Sequence, residues 1–329
     1  MTIVSAKDIS DGEWDAFCDA SSEAWVRHRT VGRRSALSLD AHNIDCSFGV
    51  ISNGKLVAVV PLVAQTLAGG QREFAYSSSM HTPAPALADD VPPQERAALV
   101  QLCMDEVDRR AAETGAERSR MFVDPAVAPS AHNPLTVFGY EDASTVAHII
   151  DLQHDEEELR AAMAKGHRLD ITFAEKEKYI VDFFDHDSII EEKWRVFVAL
   201  YDAAAGKSVY SPAQWAEILQ RLRGGFGLLG LIRRQEGEYL SAVFVTTYKQ
   251  RGYYSMGATA PEHRALRGAG HLLQWRTMLE LKRRGFKHYD IGWQSGDSPK
   301  DISIADFKRR FGGTPAVLWA GIKTYPKSR

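Results

Sequence analysis

The sequence contains few cysteines and no long apolar run. Its only cysteines, Cys18, Cys46 and Cys103, lie far apart and outside any Cys-x-x-Cys spacing. A disulfide-stapled fold is therefore excluded, and the spacing favours buried, reduced thiols over a nucleophile or a metal ligand. No apolar run approaches the roughly 20 residues that span a bilayer, and the first residues lack the basic and apolar regions of an export signal. The sequence therefore predicts a cytoplasmic protein without integral membrane association.

The common catalytic and metal-binding motifs are also absent. Eleven histidines are present, yet the sequence has no His-Glu-x-x-His motif, no His-x-His pair and no cluster of cysteine with histidine. The sequence therefore predicts a protein without a metal site, and we expect no tightly bound cofactor. No Gly-x-Ser-x-Gly elbow and no P-loop is found either. His263 and Asp290 are conceivable acid-base groups, whereas His81, His167 and His271 are better explained as structural or surface residues.

The chain of 329 residues is about twice the usual length of a single domain, and its composition is that of a globular protein, 44% hydrophobic and 25% charged. Short apolar runs alternate with helical patterns, which predicts a mixed α+β fold. The acidic run at 155–158 begins a helix that runs toward Lys165. We place the domain junction there, with one domain at 1–153 and a second at 154–329.

Local signals predict the individual helices and strands. In the first half, Asn53 and Gly54 separate two apolar runs as in a β-hairpin, and Pro61 predicts that the second strand lies at an edge or ends early. A Ser- and Pro-rich stretch at 77–87 is expected to form a surface loop. The other predicted elements are helices at 93–114, 189–204, 212–223 and 270–284 and strands at 118–123, 145–152, 227–233, 239–248, 252–259 and 288–291.

The net charge of −3 conceals a difference between the C-terminal segment and the rest of the chain. Residues 258–329 contain 14 Lys+Arg and 6 Asp+Glu, a balance of +8, so the remaining residues carry −11. A basic lobe of this kind attracts a polyanion locally although the whole protein is mildly acidic. A solvated surface without a partner is an equally good interpretation.

The predicted strand at 252–259 is followed by a basic, glycine-rich turn and then a helix. The turn and the start of the helix contain Arg264, Arg267, Gly268 and Gly270. Backbone N–H groups and the positive end of the helix dipole favour an anion at such a place. The turn therefore predicts a phosphate- or pyrophosphate-binding site, with close packing of the backbone as the alternative.

A short amphipathic segment near the C-terminus carries the candidate catalytic group. Ile304, Phe307 and Phe311 are spaced to face a core, which leaves Lys308 on the other side or its edge. Beside the Gly-Gly turn that follows, the Lys308 ammonium could stabilise the oxyanion that forms when an amine attacks an acyl ester or thioester. Spacing alone favours a solvated lysine on a helix face.

The order of these segments resembles that of a known family. Similarity to the Fem-type aminoacyl or peptidyl transferases, which are tandem GNAT-fold proteins, is carried by four segments: Tyr254-Ser-Met-Gly-Ala258, Leu272-Leu-Gln-Trp275, Arg284-Gly-Phe-Lys-His-Tyr-Asp-Ile-Gly292 and Phe307-Lys-Arg-Arg-Phe-Gly-Gly313. The match runs roughly over 159–322. The resemblance implies two tandem GNAT-like domains, each a mixed, mostly antiparallel sheet flanked by helices. The first would be a degenerate domain on the acceptor side, and the second a catalytic domain on the donor side.

The resemblance also implies an activity and roles for residues. Fem-type transferases move an amino acid from an aminoacyl-tRNA to an amine, on a peptidoglycan precursor or, in some relatives, on small molecules of antibiotic pathways. By position, Lys308 resembles the family lysine that stabilises the tetrahedral intermediate. The residues that would shape its site are Tyr254, Gly257, Phe307, Phe311 and Gly312. The phosphates of a tRNA acceptor stem would approach the basic lobe, including Arg309 and Arg310, and Arg168 resembles the basic segment that starts the family's second domain.

Two departures from the family pattern bear on the substrates. Ala265 stands where an acyl-CoA-binding GNAT usually has Gln or Arg, which weakens coenzyme A as the donor. The acceptor loop, with His81 and Thr82, reads Thr82-Pro-Ala-Pro-Ala86 and lacks the glycine that the family often has there. This departure favours a small amine or sugar amine over a nucleotide-linked cell-wall precursor.

Three hypotheses therefore stand for the function. The first is an aminoacyl-tRNA-dependent N-acyltransferase that forms an amide bond by direct attack of a neutral amine, without a covalent enzyme intermediate. The second is an acyl-CoA-dependent GNAT acetyl- or acyltransferase. The third is a non-catalytic protein of the same fold that only binds a ligand.

Overall fold

The computed structural model describes residues 1–67, 69–77, 80–125, 131–263, 266–293 and 298–326. The chain divides into two compact units: unit 1 contains Met1–Thr145 and Val317–Arg329, and unit 2 contains Val146–Ala316. This division lies before the junction predicted at 153/154. The last segment, which the sequence assigned to the second domain, belongs to unit 1 because its strand pairs with a strand there.

The described residues of unit 1 form three α-helices and ten strands, and the final strand of the chain pairs with them. The helices are α1 (Asp11–Ala20), α2 (Thr30–Leu37) and α3 (Pro93–Thr114). The strands are β1 (Thr2–Ser5), β2 (Ile44–Asp45), β3 (Phe48–Ser52), β4 (Lys55–Val60), β5 (Val63–Thr66), β6 (Arg72–Phe74), β7 (Thr82–Pro83), β8 (Ala86–Leu87), β9 (Ala116–Val123) and β10 (Glu141–Asp142).

The described residues of unit 2 form six helices and six strands. The strands are β11 (Thr145–Asp151), β12 (Ile180–Phe184), β13 (Gly227–Arg233), β14 (Tyr239–Tyr248), β15 (Arg251–Thr259) and β16 (His288–Trp293). The helices are α4 (Glu156–Ala161), α5 (Lys165–Lys176), α6 (Glu191–Ala205), α7 (Pro212–Arg223), α8 (Ala269–Arg283) and α9 (Pro299–Arg309). The last strand of the chain, β17 (Thr314–Thr324), follows α9.

Unit 1 contains two groups of paired strands. One has the order β1-β3-β4-β8, and the other has the order β17-β9-β6-β5-β2, with β7 beside β9 and β10 beside β17. β6 and β7 run parallel to β9, and the other pairings are antiparallel. The core forms where the buried side of α3 meets these strands, with Leu99, Cys103 and Val107 packed among Phe48, Phe74 and Met121.

The prediction for the hairpin is confirmed, and the one for the stretch 77–87 is wrong. Asn53 and Gly54 connect β3 and β4 at φ values of 50° and 74°, and β4 ends just before Pro61. The expected surface loop instead contains β7 and β8, whose residues are buried. Prolines remove backbone donors there, but the N–H of Ala84 donates to the Phe122 carbonyl at 2.8 Å, so the segment still pairs with β9.

Unit 2 is organised around strands in the order β12-β13-β14-β15-β16-β11. Among the described pairings of these strands, that of β15 with β16 is parallel and the others are antiparallel; the β15–β16 pairing ends at Tyr253 and Asp290 although both strands continue. In the antiparallel pairing of β14 with β15, a register shift leaves Ser255 as an extra residue of β15. Beyond Tyr253 and Asp290, β15 and β16 are no longer paired with each other, although β15 still pairs with β14 and β16 with β11.

Helices cover both faces of the unit 2 strands. Alternate residues point to opposite faces of a strand, and Val243 packs in a cluster with α5 and α8 while Phe244 packs in a cluster with α6 and α7. The predicted mixed α+β class is confirmed. Within the described residues, no helix combines the length and apolarity that crossing a membrane requires.

Candidate active site

Lys308 lies on the last turn of α9. The helix begins after Ser298, whose hydroxyl accepts a hydrogen bond from the Asp301 N–H at 3.1 Å, and Pro299 occupies its first turn. The amphipathic pattern holds only in part: Phe311 is buried and Phe307 is half-buried, but Ile304 is 41% exposed. The expectation that Ile304 faces the core is therefore wrong, since only the C-terminal end of the helix meets the core of unit 2.

The Lys308 ammonium lies where the pairing of β15 and β16 ends. Its Nζ atom is 4.9 Å from the centre of the Tyr254 ring, on β15. On β16, a β-carbon added to Gly292 would lie 3.2 Å from Nζ and 3.4 Å from the Tyr254 carbonyl oxygen, and Gly292 has a φ of 81°. A side chain at Gly292 would therefore crowd the ammonium, and its backbone conformation also favours glycine.

Burial lowers the pKa of Lys308 to about 8, and the buried carboxylate of Asp290 opposes this shift. The same carboxylate accepts a hydrogen bond from the Gly292 N–H at 2.8 Å. The ammonium thus remains charged at neutral pH while it lies in a partly desolvated place, where its electrostatic effect on a developing negative charge is larger than in water.

Tyr254 and Gly257 come together beside Lys308. The Tyr254 hydroxyl lies only 1.9 Å from the point that a β-carbon of Gly257 would occupy, so the absence of a side chain there makes room for the phenol. Burial raises the pKa of Tyr254 to about 12, while a hydrogen bond with Gln274 lowers it. Gln274 also accepts a hydrogen bond from the Tyr289 hydroxyl at 2.9 Å. The phenol is therefore neutral, it fits into the space at Gly257, and it is held by its hydrogen bond with Gln274.

The aromatic residues of α9 pack against two histidines that the sequence did not single out for the site. The ring centres of His167 on α5 and His271 on α8 are 4.4 Å apart, and Phe307 lies 5.0 Å from His271 while Phe311 lies 4.6 Å from His167. Gly312, with a φ of 91°, lets the chain turn beside Ala162 after this cluster. The sequence carries no local signal for the histidines, because α5 and α9 are far apart along the chain.

The turn before α8 is occupied by a carboxylate of α5. Arg264 and Ala265 lie outside the described residues. Arg267 Nε donates to Asp170 Oδ1 at 2.7 Å. At Gly268, with a φ of 80°, a β-carbon would lie 2.1 Å from the Asp170 carbonyl oxygen, whereas at Gly270 it would meet nothing within 4 Å. The glycine-rich turn thus serves close packing of α5 against α8 at Gly268, and any anion must compete with Asp170 for Arg267.

The arginines next to Lys308 are exposed and paired. Arg309 and Arg310 reach Asp306 on the same helix at 2.8 Å and 2.6 Å. The Arg168 guanidinium donates to the backbone carbonyl of Ala161 at 3.0 Å, near the end of α4. These contacts hold the guanidiniums locally, and the exposed pair at 309 and 310 remains open to exchange with a phosphate.

The acceptor-loop residues belong to unit 1 and are buried. Thr82 donates to the Pro61 carbonyl at 2.9 Å as part of β7. Burial lowers the pKa of His81 to about 4, and the positive charges of Arg120, Arg27 and Arg118 act in the same direction. In unit 2, His263 is buried with Nε2 3.5 Å from Glu238 Oε1. Within the described residues, a group with metal-ligand proximity is found at Asp185, His186 and Asp187, where His186 and Asp187 are exposed.

The basic segment predicted at 258–329 does not form one lobe, because its last strand belongs to unit 1. Counted by unit, residues 146–316 carry 25 Lys+Arg and 23 Asp+Glu, a balance of +2, and the rest of the chain carries 15 and 20, a balance of −5. Of the +8 in the C-terminal segment, +3 lies at 317–329 in unit 1, and the balance of −3 at 146–257 offsets part of the remaining +5.

Comparisons with known proteins bear on this arrangement. The acetyltransferase (GNAT) domain family matches residues 157–309. The structure is similar to FemX, with a TM-score of 0.71, 14% identity and 97% of each chain covered. It is also similar to L-PGS from Bacillus licheniformis (TM-score 0.59, 13% identity, 97% of this chain and 93% of that one). A tandem GNAT protein from the clavulanic acid biosynthesis pathway has a TM-score of 0.58 at 14% identity, covering 100% of this chain and 99% of that one. No curated protein matches the sequence.

Proposed function

Because the chain is an acyltransferase of Fem-like tandem GNAT fold, with a GNAT acetyltransferase domain at residues 157–309, we propose that it transfers an aminoacyl group from an aminoacyl-tRNA to an amine. The observation that carries the proposal is the position of the Lys308 ammonium, 4.9 Å from the Tyr254 ring at the end of the β15–β16 pairing. The order of motifs that resembles the Fem-type transferases supports tRNA as the source of the aminoacyl group.

The proposed reaction needs one positive charge and no covalent enzyme intermediate. A neutral amine attacks the carbonyl carbon of the aminoacyl ester, and the carbonyl oxygen becomes an oxyanion to which Lys308 donates a hydrogen bond. The new C–N bond is kept when the C–O bond to the ribose breaks. The proton lost by the amine ends on the ribose oxygen, so charge and atoms balance. Buried Asp290 keeps Lys308 protonated, and neutral Tyr254 supplies a ring face for the ammonium.

We place the acceptor among small amines or sugar amines, as in antibiotic biosynthesis, ahead of a peptidoglycan precursor. The support is the Thr82-Pro-Ala-Pro-Ala86 sequence and its burial, because a buried segment that pairs with β9 leaves little room for a nucleotide-linked substrate. We place the enzyme in the cytoplasm, where charged tRNA occurs, and expect no tightly bound cofactor.

Acyl transfer from coenzyme A is the second candidate. It is favoured by the match of residues 157–309 to the acetyltransferase (GNAT) domain family. The contacts at the start of α8 oppose it. A pyrophosphate at this helix start would meet the Asp170 carboxylate, which already takes Arg267, and the Asp170 carbonyl oxygen beside Gly268.

One assay separates these candidates. The purified enzyme is incubated with charged tRNAs or with acyl-CoAs and a panel of amines, and amide products are measured with and without ribonuclease. We expect product from charged tRNA that ribonuclease abolishes, and a loss of about 100-fold or more in Lys308→Met. Product that survives ribonuclease, or that needs only acyl-CoA, would refute the tRNA donor. If neither the intact protein nor Lys308→Met forms product, and Lys308→Met still binds the ligand, the chain is a binding protein.

A further inference from the structure

We propose that His167 is a positioning residue for Lys308: its imidazole holds the last turn of α9, so that the ammonium stays over the Tyr254 ring. The inference rests on the proposed function, because it assigns a role around the lysine which that function uses. His167 lies on α5, and its contact with α9 joins two helices that are distant in sequence.

The key contact satisfies a carbonyl that the helix itself leaves without its usual donor. In a continuing α-helix the Phe311 N–H would donate to the Phe307 carbonyl, but here it donates to the Lys308 carbonyl at 3.1 Å. His167 Nε2 lies 2.9 Å from the Phe307 carbonyl oxygen. Because a carbonyl only accepts, the imidazole donates from Nε2, which fixes its tautomer. The residue that follows this carbonyl in the chain is Lys308.

Packing holds the imidazole in place. His167 is 5% exposed, and its ring meets His271 and Phe311 edge-on at 4.4 Å and 4.6 Å between centres. A side chain with neighbours on both sides has few other rotamers available, so its hydrogen bond has a fixed direction. The contact therefore resists fraying at the end of α9, where helices are least stable.

The charge state of His167 suits this role. Burial lowers its pKa, the nearby Arg310 acts in the same direction, and the Phe307 hydrogen bond, Asp170 and Asp306 act in the opposite one. Burial also lowers the pKa of the adjacent His271 to about 4. Two neutral rings therefore support the helix without adding a positive charge from the histidines to the surroundings of Lys308.

Freeing the end of α9 would change the surroundings of the lysine in a measurable way. The Lys308 ammonium contacts the Tyr254 ring and approaches Gly292, and Asp290 is the charged group that acts on it from β16. If the last turn loosens, the ammonium gains water and its pKa should rise from about 8 toward its ordinary value of 10.5. The pKa of Lys308 thus reports its position without any substrate.

The test uses the full chain and three variants. His167→Phe keeps a ring and removes the donor. His167→Gln keeps an amide nitrogen near the place of Nε2. His271→Phe, the matched control, changes the other ring of the cluster and leaves the Phe307 contact. The pKa of Lys308 is read from the pH dependence of its acetylation by acetic anhydride, quantified by peptide mass spectrometry, and the Tm of each variant is recorded.

We expect the Lys308 pKa to rise by about 0.5 or more in His167→Phe and to move by less than about 0.2 in His167→Gln and His271→Phe. With substrates in hand, His167→Phe should lower kcat about 10-fold with little change in KM, and His167→Gln should restore most of it. An unchanged pKa in His167→Phe, or an equal rise in His271→Phe, would overturn the proposal.

If His167→Phe does not fold, His167→Asn replaces it, because its shorter amide does not reach the Phe307 carbonyl. The labelling needs neither an aminoacyl-tRNA nor an amine acceptor, so the positioning role and the proposed reaction fail or hold independently.

Discussion

At the scale of the residue, the pKa of the Lys308 ammonium gives a test of the role that we propose for this side chain. An oxyanion is stabilised by the charged form, which exists below a pKa of about 8 and disappears above it. We therefore expect kcat to fall as the pH rises through about 8, with activity present below that value and lost above it. A lysine acting as a general base would give the opposite profile, with kcat rising through the same pH.

The control for this profile is Lys308→Arg, because a guanidinium keeps its charge up to a pH above about 12. The variant should retain part of the activity and lose the alkaline fall. Measuring kcat from pH 6 to pH 10 for both proteins checks the assignment. A fall near pH 8 that persists in Lys308→Arg would mean that another group titrates.

Gly257 makes room for the Tyr254 hydroxyl, which predicts a specific cost for a single methyl group. Because a β-carbon would lie 1.9 Å from that oxygen, Gly257→Ala must displace the phenol on which the Lys308 ammonium rests. We expect a loss of about 1–3 kcal/mol in the free energy of unfolding and a clear fall in kcat. Urea unfolding and steady-state kinetics measure the two effects.

Gly166→Ala is the matched control for that variant. Gly166 lies in α5, and a β-carbon there would meet nothing within 4 Å. The substitution should leave the free energy of unfolding unchanged or raise it by up to about 1 kcal/mol, because alanine favours a helix over glycine and the effect is smaller in the first turn than in the interior. Equal losses in Gly257→Ala and Gly166→Ala would show that the phenol does not need the space at Gly257.

The sequence brought Lys308, Tyr254 and Gly257 into one hypothesis through a family resemblance, and the structure brings the three together. The sequence did not reveal the contacts of His167 and Asp170, because their partners Phe307 and Arg267 lie about a hundred residues or more away along the chain. A histidine or an aspartate on an amphipathic helix has no local feature that distinguishes a surface residue from a partner of a distant element. Such roles depend on packing that no periodicity encodes.

At the scale of the element, the strongest local signals gave the best bounds. α7, β13 and β14 have the predicted limits, because Ser211 caps a helix that starts at Pro212 and because the two strands are almost entirely buried runs. The prediction was poorer where pairing overrides local preference. β7 and β8 form in a proline-rich stretch because neighbouring strands supply the partners.

The approach of α5 to α8 leads to a prediction about anion binding. Asp170 on α5 accepts from Arg267, so a phosphate at the start of α8 must displace a carboxylate. Asp170→Asn removes this competition, and it should strengthen the binding of a polyanionic donor several-fold if the donor uses Arg267. Isothermal titration with uncharged tRNA and with coenzyme A measures the change for each donor class.

The outcomes of that titration are distinct. Tighter binding of tRNA but not of coenzyme A would support the proposed donor, and the reverse would favour the second candidate. An unchanged affinity for both would place Arg267 outside the donor site. Glu175→Gln is the control, because Glu175 lies on the same helix and pairs with Arg160 and not with Arg267.

At the scale of the whole molecule, the division into two units changes how its charge should be understood. Unit 2 has a balance of only +2, so the proposed attraction for tRNA must come from local groups such as Arg309 and Arg310, which are exposed and pair with Asp306. Each phosphate contact contributes about −0.7 to −0.9 to the slope of log K against log salt. A few such contacts give a shallow slope, unlike that of a strongly basic nucleic-acid-binding protein.

The last strand of the chain leads to a prediction about unit 1. In β17, residues Trp319–Thr324 pair with β9, and the side chains of Lys323 and Tyr325 reach Asp108 on α3 at 2.6 Å and 2.9 Å. A chain that ends at Ala316 loses these contacts and leaves β9 with an open edge. We expect unit 1 to become sensitive to limited proteolysis and prone to aggregate, whereas a chain that ends at Pro326 keeps all of the contacts and should behave as the intact protein.

Hydrogen exchange of the β9 amides gives the same comparison by residue, and protection that persists after truncation at Ala316 would show that unit 1 does not depend on β17. Because unit 1 contains residues from before and after unit 2 in the chain, a single cut of the chain cannot separate the two units.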